Sequence, residues 1–103
     1  MAEPVRERIE KILTANKIVL FMKGDASFPQ CGFSARAVAI LNELGAQFET
    51  VNVLDDADIR QGIKDYGNWP TIPQLYVNKE LVGGSDIMME MFQSGELETV
   101  LKA

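Results

Sequence analysis

The sequence contains one cysteine, Cys31, and no histidine. A lone thiol can form neither an internal disulfide nor a CxxC redox pair. With no imidazole and no second thiol, one chain also cannot complete a transition-metal site of the usual Cys/His kind. If Cys31 does chemistry, its partners must come from outside the chain, as a small thiol, as a second copy of the protein, or as both.

Cys31 is predicted to lie between a strand and a helix that begins near Phe33. The free N–H groups and partial positive charge of a helix N-terminus lower the pKa of a thiol placed there, and the thiolate is the reactive form. Lys23, at the end of the preceding strand, adds positive charge. The alternative is a small apolar side chain in the core, which is the commoner fate of a lone cysteine. The neighbours Pro29 and Gly32 are typical of a loop-to-helix turn and favour the reactive interpretation.

Arg60 and Lys64 stand four residues apart on a predicted helix. Like charges at this spacing repel by about 0.2–0.5 kcal/mol. For these two residues in isolation, a solvated pair is the simpler interpretation. The alternative is a small cationic patch that binds a carboxylate, in a chain whose net charge is −5.

Two later loops could contribute to a site. Residues 69–73 hold two prolines before a strand; the simple interpretation is a rigid entry into that strand, with Trp69 as a packing residue. Residues 83–86 read Gly-Gly-Ser-Asp and precede a helix, where backbone N–H groups can hold an anion such as a carboxylate. Taken alone, Ser85 or Asp86 is more simply a helix N-cap. Two helix N-termini near the carboxyl ends of strands nevertheless favour a shared ligand groove.

The elements that position these residues follow from hydrophobic spacing and from glycine and proline. Their predicted order is α-β-α-β-α-β-β-α, which indicates a parallel strand–helix–strand unit with a right-handed crossover, followed by an antiparallel hairpin. We therefore expect an α/β three-layer sandwich with a mixed four-stranded sheet flanked by helices on both faces, in a single domain of residues 1–103. The predicted helices are residues 4–15, 33–44, 55–66 and a C-terminal segment interrupted near Gly95; the predicted strands are residues 18–22, 48–53, 74–77 and 80–82.

Composition narrows the function classes. The 103 residues are 47% hydrophobic and 24% charged, as in ordinary globular proteins. The acidic balance argues against nucleic acid and anionic membrane surfaces as partners, and the longest apolar run, residues 18–22, is far shorter than a membrane span. The charged N-terminus lacks signal-peptide or transit-peptide character. A free thiol suits a reducing compartment, so we expect a cytoplasmic protein, or the mature form of an organellar one.

Four short motifs, taken together in their order along the chain, are far more specific than any one of them alone. They are Lys23-Gly24, residues 29–34 (Pro-Gln-Cys-Gly-Phe-Ser), residues 69–74 (Trp-Pro-Thr-Ile-Pro-Gln) and residues 83–86 (Gly-Gly-Ser-Asp). With them, nearly the whole chain resembles the monothiol glutaredoxins of the CGFS class. The resemblance implies a thioredoxin-like fold, in which the Ile72–Pro73 bond is cis and faces the active cysteine.

The resemblance also implies a groove for glutathione. Lys23 and Arg60 would pair with its glycine carboxylate, Ile72 would bind its cysteinyl backbone through main-chain hydrogen bonds, and Ser85 and Asp86 would hold the γ-glutamyl end. Gly32 and Phe33 would shape the side of the groove that faces a metal cluster. The implied cofactor-binding set is Lys23, Cys31, Gly32, Phe33, Arg60, Thr71, Ile72, Pro73, Ser85 and Asp86, with Cys31 as the catalytic residue and the metal ligand.

Two functions are consistent with this resemblance. The first is an iron–sulfur carrier, in which a [2Fe–2S] cluster with four thiolate ligands is shared by two Cys31 residues and two glutathiones. This protein would be a homodimer with the cluster and a monomer without it, with a BolA-type partner and apo iron–sulfur proteins as clients. The second is a glutathione-dependent thiol–disulfide oxidoreductase of monothiol mechanism. An interaction module with an inert Cys31 is disfavoured by the four motifs.

Overall fold

The elements of the computed structural model, which describes residues 1–103, follow the predicted order, with the C-terminal helical segment divided in two. Their bounds are α1 Glu3–Ala15, β1 Ile18–Met22, α2 Gly32–Glu43, β2 Glu49–Asn52, a short 3-10 helix Val53–Asp55, α3 Ala57–Gly67, β3 Gln74–Val77, β4 Glu80–Gly83, α4 Ser85–Ser94 and α5 Glu96–Lys102.

The four strands form one mixed sheet in the order β2-β1-β3-β4. β1 pairs with β2 in parallel and with β3 antiparallel, and β4 completes the antiparallel hairpin. The hairpin turns at Asn78 and Lys79, which both have positive φ (51° and 70°), as a two-residue turn requires. The predicted sheet, with its parallel unit and added hairpin, is thereby confirmed.

β1 is central to both hydrophobic cores because all five of its residues are buried. Successive side chains on a strand point to opposite faces of the sheet. Leu20 and Met22 therefore pack in a core that includes residues of α2, α4 and α5, whereas Val19 and Phe21 pack in a second core with residues of α1 and α3. Helices on both faces give the three layers, and the carboxyl end of β1 emerges between them.

The predicted boundaries lie within one residue of the structure, except the start of α3, which lies two residues later; the differences around residues 53–57 have a specific cause. β2 ends at Asn52, one residue early, because the Asn52 side chain accepts a hydrogen bond from Leu54 N–H (3.0 Å) and starts the 3-10 helix. α3 begins at Ala57 because the Asp56 carboxylate caps it, accepting the N–H groups of Asp58 and Ile59 at 3.1 Å each.

The predicted interruption at Gly95 is confirmed. Gly95 has φ +83° and separates α4 from α5, a left-handed conformation that glycine adopts without strain. None of the five α-helices combines the length and the apolar character that crossing a bilayer requires.

Candidate functional site

Cys31 occupies the N-cap position of α2, in extended conformation, and its carbonyl oxygen accepts the Ala35 N–H at 2.9 Å. The loop before it is held closely: Gln30 N–H donates to the Lys23 carbonyl at 2.8 Å, and Gly24 bridges to Pro29. A side chain at Gly24 would lie 2.4 Å from the Phe28 carbonyl oxygen, at a φ of +87°, so this position requires glycine. The loop therefore fixes the thiol at the start of the helix.

The pKa of the Cys31 thiol is lowered from its ordinary value of 9.0, as the sequence predicts. The largest cause is the backbone N–H of Ser34; desolvation opposes it, and the Phe33 N–H, the charge of Lys23 and the Ser34 hydroxyl act in the same direction as the first. Cys31 makes no side-chain capping hydrogen bond, so these N–H groups remain free to stabilise negative charge on sulfur. The thiol is partly exposed and can reach a reactant.

The thiol opens on a groove of about 410 Å³. The structure brings eight of the ten predicted binding residues to this groove, and Gly32 and Arg60 lie outside its lining. The complete lining is Lys23, Cys31, Phe33, Lys64, Trp69, Pro70, Thr71, Ile72, Pro73, Gly84, Ser85, Asp86 and Ile87.

Two lysines, Lys23 and Lys64, contribute positive charge to the groove lining. Lys23 directly follows β1, and Lys64 lies in the last turn of α3; both are partly buried. Of the Arg60–Lys64 pair, it is Lys64 that lines the groove. An ammonium pair in a partly desolvated cleft attracts an anion such as a carboxylate.

A buried glutamine shapes the wall that contains the cis peptide bond Ile72–Pro73. Gln74 is fully buried, and its amide nitrogen donates to the carbonyl oxygens of Trp69 (3.0 Å) and Thr71 (3.2 Å). Its amide oxygen accepts the Tyr76 hydroxyl at 3.0 Å. Burial raises the pKa of Tyr76, so this donor keeps its proton. The Trp-Pro-Thr-Ile-Pro loop is thereby tied to the core.

The start of α4 forms the wall that adjoins this loop. Gly84, rather than Ser85 or Asp86, is the N-cap residue, and no side chain caps the helix, so the simple N-cap interpretation of those two residues is wrong. A side chain at Gly84 would approach Trp69 Nε1 and the Pro73 carbonyl oxygen to 3.3 Å. Trp69 Nε1 is itself a buried donor without a partner. Trp69 therefore lines the groove, with its Nε1–H beside Gly84 at the start of α4.

Sequence reasoning missed Arg36 and Ser34. The Arg36 Nε–H donates to Ser85 Oγ at 2.7 Å, and its guanidinium is paired with the Asp86 carboxylate. Ser34 is fully buried, and its hydroxyl oxygen accepts the Lys23 N–H at 3.1 Å. Ser34 could have been identified as a site residue because it belongs to the motif that contains Cys31. No local sequence pattern marks Arg36 as a site residue.

Known proteins share the sequence pattern and the fold of this chain. The sequence model of the glutaredoxin family matches residues 18–82. A monothiol glutaredoxin of Synechocystis is 60% identical over 102 residues, which cover 99% of this chain and 95% of that protein. The solution structure of reduced poplar apo GrxS14 has a TM-score of 0.87 and 48% identity, covering 97% of this chain and 93% of that one.

A crystal structure of a buckwheat glutaredoxin–glutathione complex has a TM-score of 0.85 at 22% identity, covering 97% of this chain and 89% of that one. At this identity the likeness concerns the fold alone. Together with the poplar structure it confirms the predicted thioredoxin-like α/β fold. The chain belongs to the glutaredoxin family and, within it, to the monothiol glutaredoxins.

Proposed function

We propose that the groove binds glutathione in extended form, with its thiol beside Cys31. The lysine end would take the glycine carboxylate, the Ile72 backbone would pair with the cysteinyl residue, and the Ser85–Asp86 end would take the γ-glutamyl group. The presence of both cationic side chains (Lys23 and Lys64) and an anionic one (Asp86) in the groove lining supports this orientation. The glutathione complex of the buckwheat protein, which shares the fold, is consistent with it. Arg60 stays a predicted contact for the same carboxylate.

We further propose that the protein carries a [2Fe–2S] cluster and transfers it to apo-proteins. The chain supplies one thiolate, Cys31, and has no group of three or more Cys, Asp or Glu side chains that could hold a metal by itself. A cluster of this type needs four ligands, normally thiolates. Two chains and two glutathione thiols give that number, and Cys31 fits as a ligand because its thiol is accessible and its pKa is lowered.

The surface beside Cys31 supports a second subunit as partner. Phe28 and Phe33 are 72% and 60% exposed, and they are two of the four large hydrophobic side chains that are exposed in the chain. Exposed aromatic side chains around a ligand gain by burial in an interface. The cluster-loaded form would be a homodimer and the free chain a monomer. A BolA-type protein and apo iron–sulfur proteins are the further partners that the resemblance implies.

The second candidate function is monothiol oxidoreduction, favoured by the lowered pKa of Cys31. The Cys31 thiolate would attack the glutathione sulfur of a protein–glutathione mixed disulfide and release the protein thiolate. A second glutathione thiolate would then attack that glutathione sulfur, forming oxidised glutathione and restoring the Cys31 thiolate. With one cysteine in the chain, no internal thiol can resolve the intermediate.

One experiment separates the two functions. The protein is reconstituted anaerobically with iron, sulfide and glutathione, and its visible spectrum and sedimentation are recorded. The carrier proposal predicts a coloured dimer that bleaches when glutathione is removed, and no colour with Cys31→Ser. A colourless monomer that turns over a glutathione mixed disulfide rapidly would contradict it. A Cys31→Ser variant that retains the cluster would show that the ligand is another group.

A further inference from the structure

Arg36 contacts two groove-lining residues at the start of α4, and the proposed function gives it no role. It lies in the first half of α2, and its side chain contacts Ser85, which is 49 residues later in the sequence. There it makes a hydrogen bond to Ser85 Oγ (2.7 Å) and an ion pair with Asp86. Its guanidinium carbon also lies 5.9 Å from the centre of the Phe33 ring. Three contacts from two elements fix the orientation of this cation.

The guanidinium has donors left over. It carries five N–H bonds in a planar fork, and the contacts to Ser85 and Asp86 use two of them. Arg36 is partly exposed, so its other N–H groups are open to solvent. Arg36 does not itself line the groove, but both of its partners, Ser85 and Asp86, do. The first N–H groups of α4 lie beside the same wall without a side-chain cap. A planar fork with free donors next to uncapped N–H groups matches a carboxylate.

The Asp86 carboxylate is accessible to a cation, just as the Arg36 guanidinium is accessible to an anion. Its side chain is 88% exposed, and its bond to Arg36 uses one carboxylate oxygen, Oδ1. The wall therefore presents a carboxylate and a guanidinium side by side, each with an open face. That arrangement is complementary to an ammonium and a carboxylate on the same carbon, which is the free α-amino-acid end of a γ-glutamyl peptide.

We propose that Arg36 is a ligand-contacting residue that selects for the α-carboxylate of the γ-glutamyl group, while Asp86 takes the neighbouring ammonium. This inference rests on the proposed binding of glutathione. It adds a specificity element on α2, so that the ligand bridges α2 and α4 at one end and reaches Lys23 and Lys64 at the other. The ion pair with Asp86 holds the guanidinium in place before the ligand arrives.

Titration calorimetry with three tripeptides tests the proposal. They are reduced glutathione, γ-aminobutyryl-cysteinyl-glycine, which lacks the α-carboxylate, and glutaryl-cysteinyl-glycine, which lacks the α-ammonium. For Arg36→Gln we expect affinity for glutathione and for the glutaryl peptide to fall about tenfold, because a charge-assisted contact is lost. Affinity for the γ-aminobutyryl peptide should stay within about twofold of wild type. Arg6→Gln, which removes an exposed arginine on α1, should leave all three affinities unchanged.

Other outcomes would overturn the inference. An equal loss for all three peptides would mean that Arg36 only supports the wall. Unchanged or tighter glutathione binding by Arg36→Gln would mean that Arg36 is irrelevant, or that it blocks Asp86 until it is displaced. If wild-type protein bound none of the peptides, the proposed glutathione site itself would be wrong, and this inference would fall with it.

Discussion

The backbone N–H of Lys23 donates to the hydroxyl oxygen of buried Ser34 at 3.1 Å. This bond joins the end of β1 to the first turn of α2, on either side of the loop that carries Cys31. It places the Lys23 charge and the helix N-terminus near the same sulfur, and both lower the pKa of Cys31. The reactivity of the lone cysteine therefore depends on a contact between two residues that do not react.

Ser34→Ala should raise the pKa of Cys31 and destabilise the fold. The hydroxyl no longer assists the thiolate, and the Lys23 N–H is left without its partner, which costs about 1–2 kcal/mol. The thiol pKa is measured from the pH dependence of iodoacetamide alkylation, and stability from urea unfolding. Ser27→Ala, an exposed serine in the preceding loop, is the control and should change neither quantity. A Ser34→Ala variant with an unchanged thiol pKa would separate Ser34 from the chemistry of Cys31.

Lys23→Ala and Lys64→Ala should each weaken glutathione binding by about 1–3 kcal/mol, because a charged bond to the glycine carboxylate is lost. Lys11→Ala, on the exposed face of α1, is the control. Calorimetry with reduced glutathione gives the three affinities.

Arg60→Ala tests the sequence prediction against the structure. We expect it to weaken binding less than Lys64→Ala, because Lys64 lines the groove and Arg60 lies outside the lining. The same titration decides the order of the two variants. Unchanged affinity in Lys23→Ala, Lys64→Ala and Arg60→Ala would reject the carboxylate end of the groove.

Gln74→Leu should be among the most destabilising changes at the site. It leaves two carbonyl oxygens and the Tyr76 hydroxyl without their partner, at a cost of about 3 kcal/mol. Tyr76→Phe removes one bond of the same network and should cost about 1 kcal/mol. Urea unfolding measures both variants. If Tyr76→Phe cost as much as Gln74→Leu, the glutamine would not be the residue that ties the loop to the core.

The Asp56 carboxylate makes a pH-dependent contribution to stability. Its pKa is lowered from 3.8, first by the ion pair with Arg8 and then by the Ile59 N–H at the start of α3. Since the folded-state pKa is the lower one, this stabilisation is present above the unfolded value of 3.8 and is lost as pH falls through the folded value.

Asp56→Asn isolates that charge, because asparagine also caps helices well. The wild type should be more stable than Asp56→Asn near neutral pH, and the difference should shrink as the pH falls below the ordinary carboxyl pKa. Urea unfolding of both proteins over a pH series measures it. A difference that stayed constant with pH would show that the carboxylate charge contributes nothing.

Most of the fold could be predicted from local patterns. Five consecutive apolar residues, 18–22, indicated a strand buried on both faces, and they form β1, which contributes to both cores. Gly95 and the Asn78–Lys79 turn could also be predicted, because each needs a backbone conformation that few residues adopt. The boundary near residue 53 could not be predicted, because the Asn52 side chain, rather than hydrophobic spacing, ends the strand.

Some residues of the site could also be predicted from the sequence, and others could not. Residues within the motifs, such as Cys31, Ile72 and Ser85, were expected in one groove, and they line it. Lys64 and Arg36 could be placed only by tertiary structure. Helical spacing cannot say which of Arg60 and Lys64 faces the groove, and Arg36 resembles any helix-surface arginine until α4 packs against α2.

The central claim is that Cys31 supplies one of four cluster ligands, with the others coming from a second subunit and two glutathiones. Native mass spectrometry of the anaerobically reconstituted protein counts these components directly. We predict a complex of two chains, two glutathiones and one [2Fe–2S] cluster, absent in the Cys31→Ser variant. A cluster on a single chain, or on two chains without glutathione, would contradict the account.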